Sequence, residues 1–222
     1  MISAGNDIVS IAAINTVRTK QPAFYKKILS ETEIAQYHQS YTEAISFEIY
    51  VWLLWSIKES AYKYLQRLNP KLVFSPTRFT VSNLQKPKRP LTESFGSSQM
   101  EARGANGGIS WAGLIRHEVD ILYVQSVVYS DVIHSVVNYS QSFENVYWGI
   151  KTITDPNPAN QSATVRIFLS NKLGSLFNNK KLQINKNVHG VPVISDGQTQ
   201  MPLPVSLSHH EHFVAYSFNN ER

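Results

Sequence analysis

A chain of 222 residues, 42% hydrophobic and 17% charged, can bury a sizeable core in one large domain or two small lobes and is too apolar for long disorder. Without cysteine it forms no disulfide, thiolate metal site or cysteine nucleophile, which fits a reducing compartment. A formal charge of +5 and a pI near 9.3 favour anionic partners: nucleic acid, phosphorylated cofactors or acidic proteins. Residues 8–17 are apolar but short and follow no basic segment, and no apolar run reaches the roughly 18 residues of a membrane span. A soluble, cytoplasmic protein with no membrane partner is expected.

Gly5-Asn6-Asp7 leads into the β-branched run Ile8-Val9-Ser10-Ile11, which reads as a short buried strand with Asp7 at its start. Arg18, Lys20, Lys26 and Lys27 then surround Pro22 in a basic, exposed segment. Ser30-Glu31-Thr32-Glu33 matches a capping box and announces a helix through Tyr37 or a little beyond. A longer helix is expected over residues 42–68, ending before Asn69-Pro70, where proline biases its predecessor away from the helical region. Within it Val51, Leu54, Trp55, Ala61, Tyr62 and Leu65 form one apolar stripe at about 100° per residue. Lys58 interrupts that stripe and must reach solvent or find an anion, while Glu59 and Lys63 stand one turn apart at its edge.

Residues 78–82 alternate like a strand, and residues 85–108, with two prolines and four glycines, read as a linker or long loop. From Ile109 the chain becomes richer in β-formers, with strands expected over residues 118–129, 132–139 and 145–154. Asp155-Pro156-Asn157-Pro158 is a breaker. Residues 163–177 then show helical spacing, with Arg166 on the exposed side. Strands near residues 182–184 and 192–194 flank a turn at His189-Gly190, and residues 205–212 and 213–218 close the chain. The halves share an outline of one long helix followed by strands. This predicts an α+β fold of two similar lobes, residues 1–92 and 109–222, joined by a linker at 93–108.

His209 and His212 lie three apart, as zinc ligands can, but their surroundings read as strand and no third ligand is marked. A serine–histidine hydrolase would need a nucleophile elbow that is absent. Ser206, Ser208 and His209 suit an anion better, because hydroxyls and an imidazole N–H are donors to phosphate oxygens. Asp7 and Glu59, on separate elements, can share a divalent cation, since Mg²⁺ typically takes one or two carboxylates plus substrate phosphates. With Lys58 and Lys63 these make the parts list of a phosphoryl-transfer site.

Gly5-Asn6-Asp7-Ile8-Val9 resembles the G-x-D-I-V motif of the 4′-phosphopantetheinyl transferases, and Trp55-Ser56-Ile57-Lys58-Glu59-Ser60-Ala61-Tyr62-Lys63 resembles their W-x-x-K-E-[AS]-x-x-K helix. Gly190-Val191-Pro192 and Ser206-Leu207-Ser208-His209 are similar to the family's G-x-P segment and S-x-S-H motif. The motif order resembles the short, trimeric holo-acyl-carrier-protein synthases, whereas the length resembles the longer branch, in which two lobes form a pseudo-dimer. Val9 stands where many longer members carry a second acid.

The resemblance implies that Asp7 and Glu59 hold Mg²⁺ on the pyrophosphate of coenzyme A. It implies phosphate contacts from Lys63, Ser206, Ser208 and His209, and for Lys58 either a phosphate contact or a structural ion pair, with Glu59 and Lys63 taking part in catalysis. A serine of an apo acyl or peptidyl carrier protein would accept the phosphopantetheine, releasing adenosine 3′,5′-bisphosphate. Carrier proteins are acidic, so Arg18, Lys20, Lys26 and Lys27 become the docking surface by charge complementarity. A monomeric pseudo-dimer is favoured over a homotrimer. The alternatives are a catalytically silent carrier- or coenzyme-A-binding protein on the same fold and a nucleic-acid-binding module, which the scattered basic residues disfavour.

Overall fold

The computed structural model describes residues 2–86, 99–100, 108–178, 182–197 and 199–221, so most of the expected linker at 93–108 lies outside the described residues. Strand β1 (Gly5–Ser10) opens the chain and is buried along its whole length. Two single-turn helices follow, α1 (Thr16–Thr19) and α2 (Pro22–Tyr25). Helix α3 (Glu31–Gln36) starts with the expected capping box, Ser30 bonding the Glu33 amide while the Glu33 carboxylate reaches back to the Ser30 amide. The long helix α4 (Phe47–Leu68) begins later than residue 42, because the Ser46 hydroxyl accepts from the Ile49 amide and fixes the N-terminus there.

Strands β2 (Phe79–Gln85), β4 (Ile109–His117), β5 (Asp120–Val128) and β6 (Val132–Asn138) join β1 in an antiparallel sheet of order β1-β6-β5-β4-β2. Between β2 and β4 the two-residue strand β3 (Gln99–Met100) pairs instead with a later strand. Helix α4 packs on the sheet through Val51, Leu54, Ile57, Ala61 and Leu65, against Phe79, Ile115 and Ile133. Residues 109–138, expected in the C-terminal lobe, thus complete the N-terminal sheet. Strand existence can be read from local pattern, but pairing β6 with β1 across more than 120 residues is a tertiary choice. Gly5 admits α4 this closely: a Cβ there would lie 2.1 Å from the Ser60 carbonyl oxygen.

The second half comprises β7 (Val146–Thr152), α5 (Pro158–Phe177), β8 (Leu182–Lys186), β9 (Pro192–Asp196), β10 (Thr199–Gln200), β11 (Val205–His210) and β12 (Phe213–Asn219). Helix α5 starts five residues before the expected position. Asn157 caps it by accepting from the Ala159 and Asn160 amides, and Pro158 takes the first helical position, so the supposed breaker is the helix start. The strands form two sheets, β11-β12-β7-β3 and β10-β9-β8, with Phe168, Leu169 and Leu173 of α5 packed against Ile194, Val205 and Tyr216. In each half the first strand is followed by a long helix, and the last strand returns to pair with the first: β6 with β1, β12 with β7.

Two kinds of contact join the halves. Ile8, Val132 and Val136 share a core with Trp148, Ile150 and Ala215, and β1 runs beside β11 in a polar seam. Among the described residues no helix is long and apolar enough to cross a membrane.

Candidate active site

On α4, Glu59, Lys63 and Arg67 recur every four residues and share one face. β1 runs against this helix with Asp7 turned toward it. The Lys63 ammonium donates to Asp7 Oδ1 at 2.9 Å and to the Asn6 carbonyl at 3.2 Å, and lies 3.2 Å from Glu59 Oε1. Asp7 is nearly sealed, with 7% side-chain exposure, whereas Glu59 and Lys63 keep about a quarter of theirs at 27% and 24%. Burial pushes the Asp7 carboxyl up to about 7; Lys63 pulls it back and the Glu59 charge adds to the rise. Burial also opposes the Lys63 charge, but Asp7 and Glu59 outweigh it and hold the ammonium above the ordinary lysine value.

Strand β11 distributes its motif over two faces, because successive side chains in a strand point oppositely. Ser206, Ser208 and His210 face β1: the Ser206 hydroxyl accepts from the Asn6 amide at 3.1 Å, Ser208 from Asn6 Nδ2 at 2.9 Å, and His210 Nδ1 from the Ser10 amide at 2.9 Å. Val205, Leu207 and His209 face a cleft of about 250 Å³. Ser208 was expected to contact phosphate beside His209, but the strand's period of two sends these neighbours to opposite sides and leaves Ser208 buried in the seam. Ser206 borders the cleft while bonded to Asn6.

α4 supplies Lys63 and Arg67 to this cleft, β8 and the turn after it supply Lys186 and His189, and α5 supplies Arg166. No carboxylate is among the described lining residues. Arg166 is therefore half-buried beside the cleft rather than on an exposed face, its Nη1 anchored on the Ser162 carbonyl at 2.8 Å. His209 is held below the ordinary histidine value by burial, with Lys63 and Lys186 adding to the effect. Gly190, at φ +76°, makes the turn that carries His189 and Val191 to the cleft.

Lys58, for which the sequence leaves a phosphate contact and a structural ion pair both open, lies away from the cleft and makes the ion pair. Its side chain is fully buried, 2.7 Å from both Glu33 Oε2 and the Ile28 carbonyl. Glu33 in turn accepts from the Ser30 and Val81 amides, so the odd lysine of the stripe ties α3 and β2 to α4. Arg18, Lys20, Lys26 and Lys27 lie exposed on and around α1 and α2, apart from the cleft lining. Lys20 pairs with Glu48 at 2.8 Å, and the Arg18 guanidinium sits 5.0 Å from the Phe24 ring centroid. Asn6, Arg67, Lys186 and His189 also belong to the site, although no motif marks them as site residues. The spacing of Arg67 four residues beyond Lys63 was a visible signal; the placement of the other three depends on tertiary pairing.

Residues 3–105 match the family model of the 4′-phosphopantetheinyl transferase superfamily. Over this span, a little under half of the chain, the protein is similar to that superfamily. The matched span carries Asp7, Glu59 and Lys63, and the S-x-S-H strand lies beyond it. At the level of the superfamily the activity is phosphopantetheine transfer, with coenzyme A as the donor. No curated protein and no solved structure matches the chain.

The donor set of the site can be compared with a divalent cation. Asp7 and Glu59 already converge on one cation, the Lys63 ammonium, and present hard oxygen donors of the type Mg²⁺ prefers. Val9, on the same face of β1 as Asp7, is packed in the first core, and among the described residues no group of three His, Cys, Asp or Glu residues converges. A two-carboxylate site completed by water and substrate phosphate is what these residues fit.

Proposed function

We propose that the protein transfers 4′-phosphopantetheine from coenzyme A to a serine of an acidic apo carrier protein. One observation carries this: Lys63 bonds both carboxylates and also lines a cleft whose described charged residues are all basic. The cleft takes a ligand with several phosphates, and Lys63, Arg166, Lys186 and His209, which line it, supply the phosphate contacts. Asp7 and Glu59 would hold Mg²⁺, which when bound neutralises charge on the pyrophosphate.

The carrier serine hydroxyl attacks the phosphorus that bears pantetheine. A bond forms from its oxygen to that phosphorus, and the bond from phosphorus to the bridging oxygen breaks, so adenosine 3′,5′-bisphosphate leaves with the bonding pair. Glu59 takes the serine proton, and Lys63 stays with the charge that grows on the departing phosphate. The two halves act as lobes of a pseudo-dimer: α4 and β1 bring the carboxylates and Lys63, and β11 brings His209. Exposed Arg18, Lys20, Lys26 and Lys27 receive the carrier.

Calorimetric titration of coenzyme A tests the site. Mg²⁺ is expected to tighten binding to the wild type, because the ion adds contacts to the pyrophosphate, and Glu59→Gln is expected to abolish that enhancement. Equal Mg²⁺ enhancement in the folded variant would remove Glu59 from the metal site.

A further inference from the structure

Arg67 lines the cleft, yet none of the motifs includes it. It stands one turn beyond Lys63 on the same face of α4, and its side chain leaves the first half of the molecule. Its Nη2 donates to the Pro192 carbonyl at 3.0 Å and also to the Val205 carbonyl. Pro192 opens β9 directly after the Gly190–Val191 turn, and Val205 opens β11 one residue before Ser206.

β9 and β11 belong to different sheets, so no ladder of backbone hydrogen bonds sets the distance between them. One guanidinium bridges their first residues beside the shared Ile194–Val205 packing, and it is carried by the helix that bears Glu59 and Lys63. The same side chain separates two cavities, the cleft and a space of about 200 Å³ behind it bordered by Ile2, Val193, Met201 and Leu203. The arrangement is costly, because Arg67 Nε is buried without a hydrogen-bond partner and no carboxylate pairs with the guanidinium among the described residues. Burial accordingly brings its pKa down to about 10. An apolar chain would fill this volume without that cost, but it could not hold two carbonyls.

We propose that Arg67 is a positioning residue that fixes the spacing of β9 and β11 against α4, and thereby holds the cleft at the width in which coenzyme A is bound. This rests on coenzyme A being the ligand of the cleft. Arg67→Met keeps the bulk and removes the donors; Arg67→Lys keeps a donor. Coenzyme A affinity is measured by calorimetry, and amide hydrogen exchange of the ligand-free protein is followed in β9, β11 and β6.

For Arg67→Met, affinity is expected to fall about tenfold, the scale of one charge-assisted hydrogen bond. The fall appears in the KM for coenzyme A more than in kcat, and exchange quickens in β9 and β11 while β6 keeps its protection. Arg67→Lys is expected to recover part of both effects. Wild-type affinity together with wild-type protection in Arg67→Met overturns the proposal, as does loss of protection spread evenly over β6, β9 and β11. If Arg67→Met does not fold, the lysine variant decides on the same two readouts. If the wild type itself binds no coenzyme A, the ligand assignment fails while the exchange data still judge the spacing role.

Discussion

Lys63 organises the candidate site at the scale of single residues, since one ammonium engages both carboxylates and the cleft. Asp7 gives a prediction with a definite sign. Its carboxyl is raised from 3.8 to about 7 in the folded protein, so between these values the folded state holds a proton that the unfolded state has lost. The Asp7 contribution to stability is therefore fully present below 3.8 and is lost as pH rises through about 7. In metal-free protein, the stability of wild type relative to Asp7→Asn should fall between pH 4 and pH 7 and then level off, as read by denaturant unfolding. A difference constant across that range would contradict the buried, proton-binding Asp7. That Asp7, Glu59 and Lys63 meet was legible from the motifs and from the spacing of Glu59 and Lys63. The role of Lys58 was not, because its partner Glu33 lies 25 residues upstream and only the packing of α3 on α4 joins them. The position of Ser208 follows from the alternation of β11, which sends the adjacent motif residues Ser208 and His209 to opposite faces.

Among the elements, α4 does most to position the site, with its apolar stripe in the core and the Glu59–Lys63–Arg67 row at the interface between halves. Its C-terminal end was legible from Asn69-Pro70, whereas its start depended on the choice of Ser46 as cap over earlier polar residues. The α1–α2 segment makes a separate prediction. Reversing Arg18 and Lys20 to Glu should weaken carrier binding by about tenfold at low salt, with the gap closing as ionic strength rises through the screening range. Coenzyme A affinity should hold, since neither residue lines the cleft. Carrier binding unchanged by the double reversal would take this surface out of the account. Lys20 also faces Glu48, so the reversal sets two acids together, and a folded variant must be confirmed by circular dichroism.

Over the whole molecule, the α+β class and most strands followed from local pattern, while the assembly of the halves did not. The chain from Ile109 to Asn138 reads as β-rich either way; only its pairing with β1 and β2 assigns it to the first sheet. The cleft likewise is a product of assembly, drawn from α4, α5, β8, β11 and the turn before β9, which lie far apart in sequence. The central claim is that this assembly transfers phosphopantetheine, and the intact mass of an apo carrier protein incubated with the enzyme, coenzyme A and Mg²⁺ tests it most directly. A carrier gaining one phosphopantetheine on its serine, with the gain dependent on Mg²⁺ and lost in Glu59→Gln, is the predicted result. An unmodified carrier in the presence of enzyme shown to bind coenzyme A would contradict the claim and leave a binding protein on the same fold.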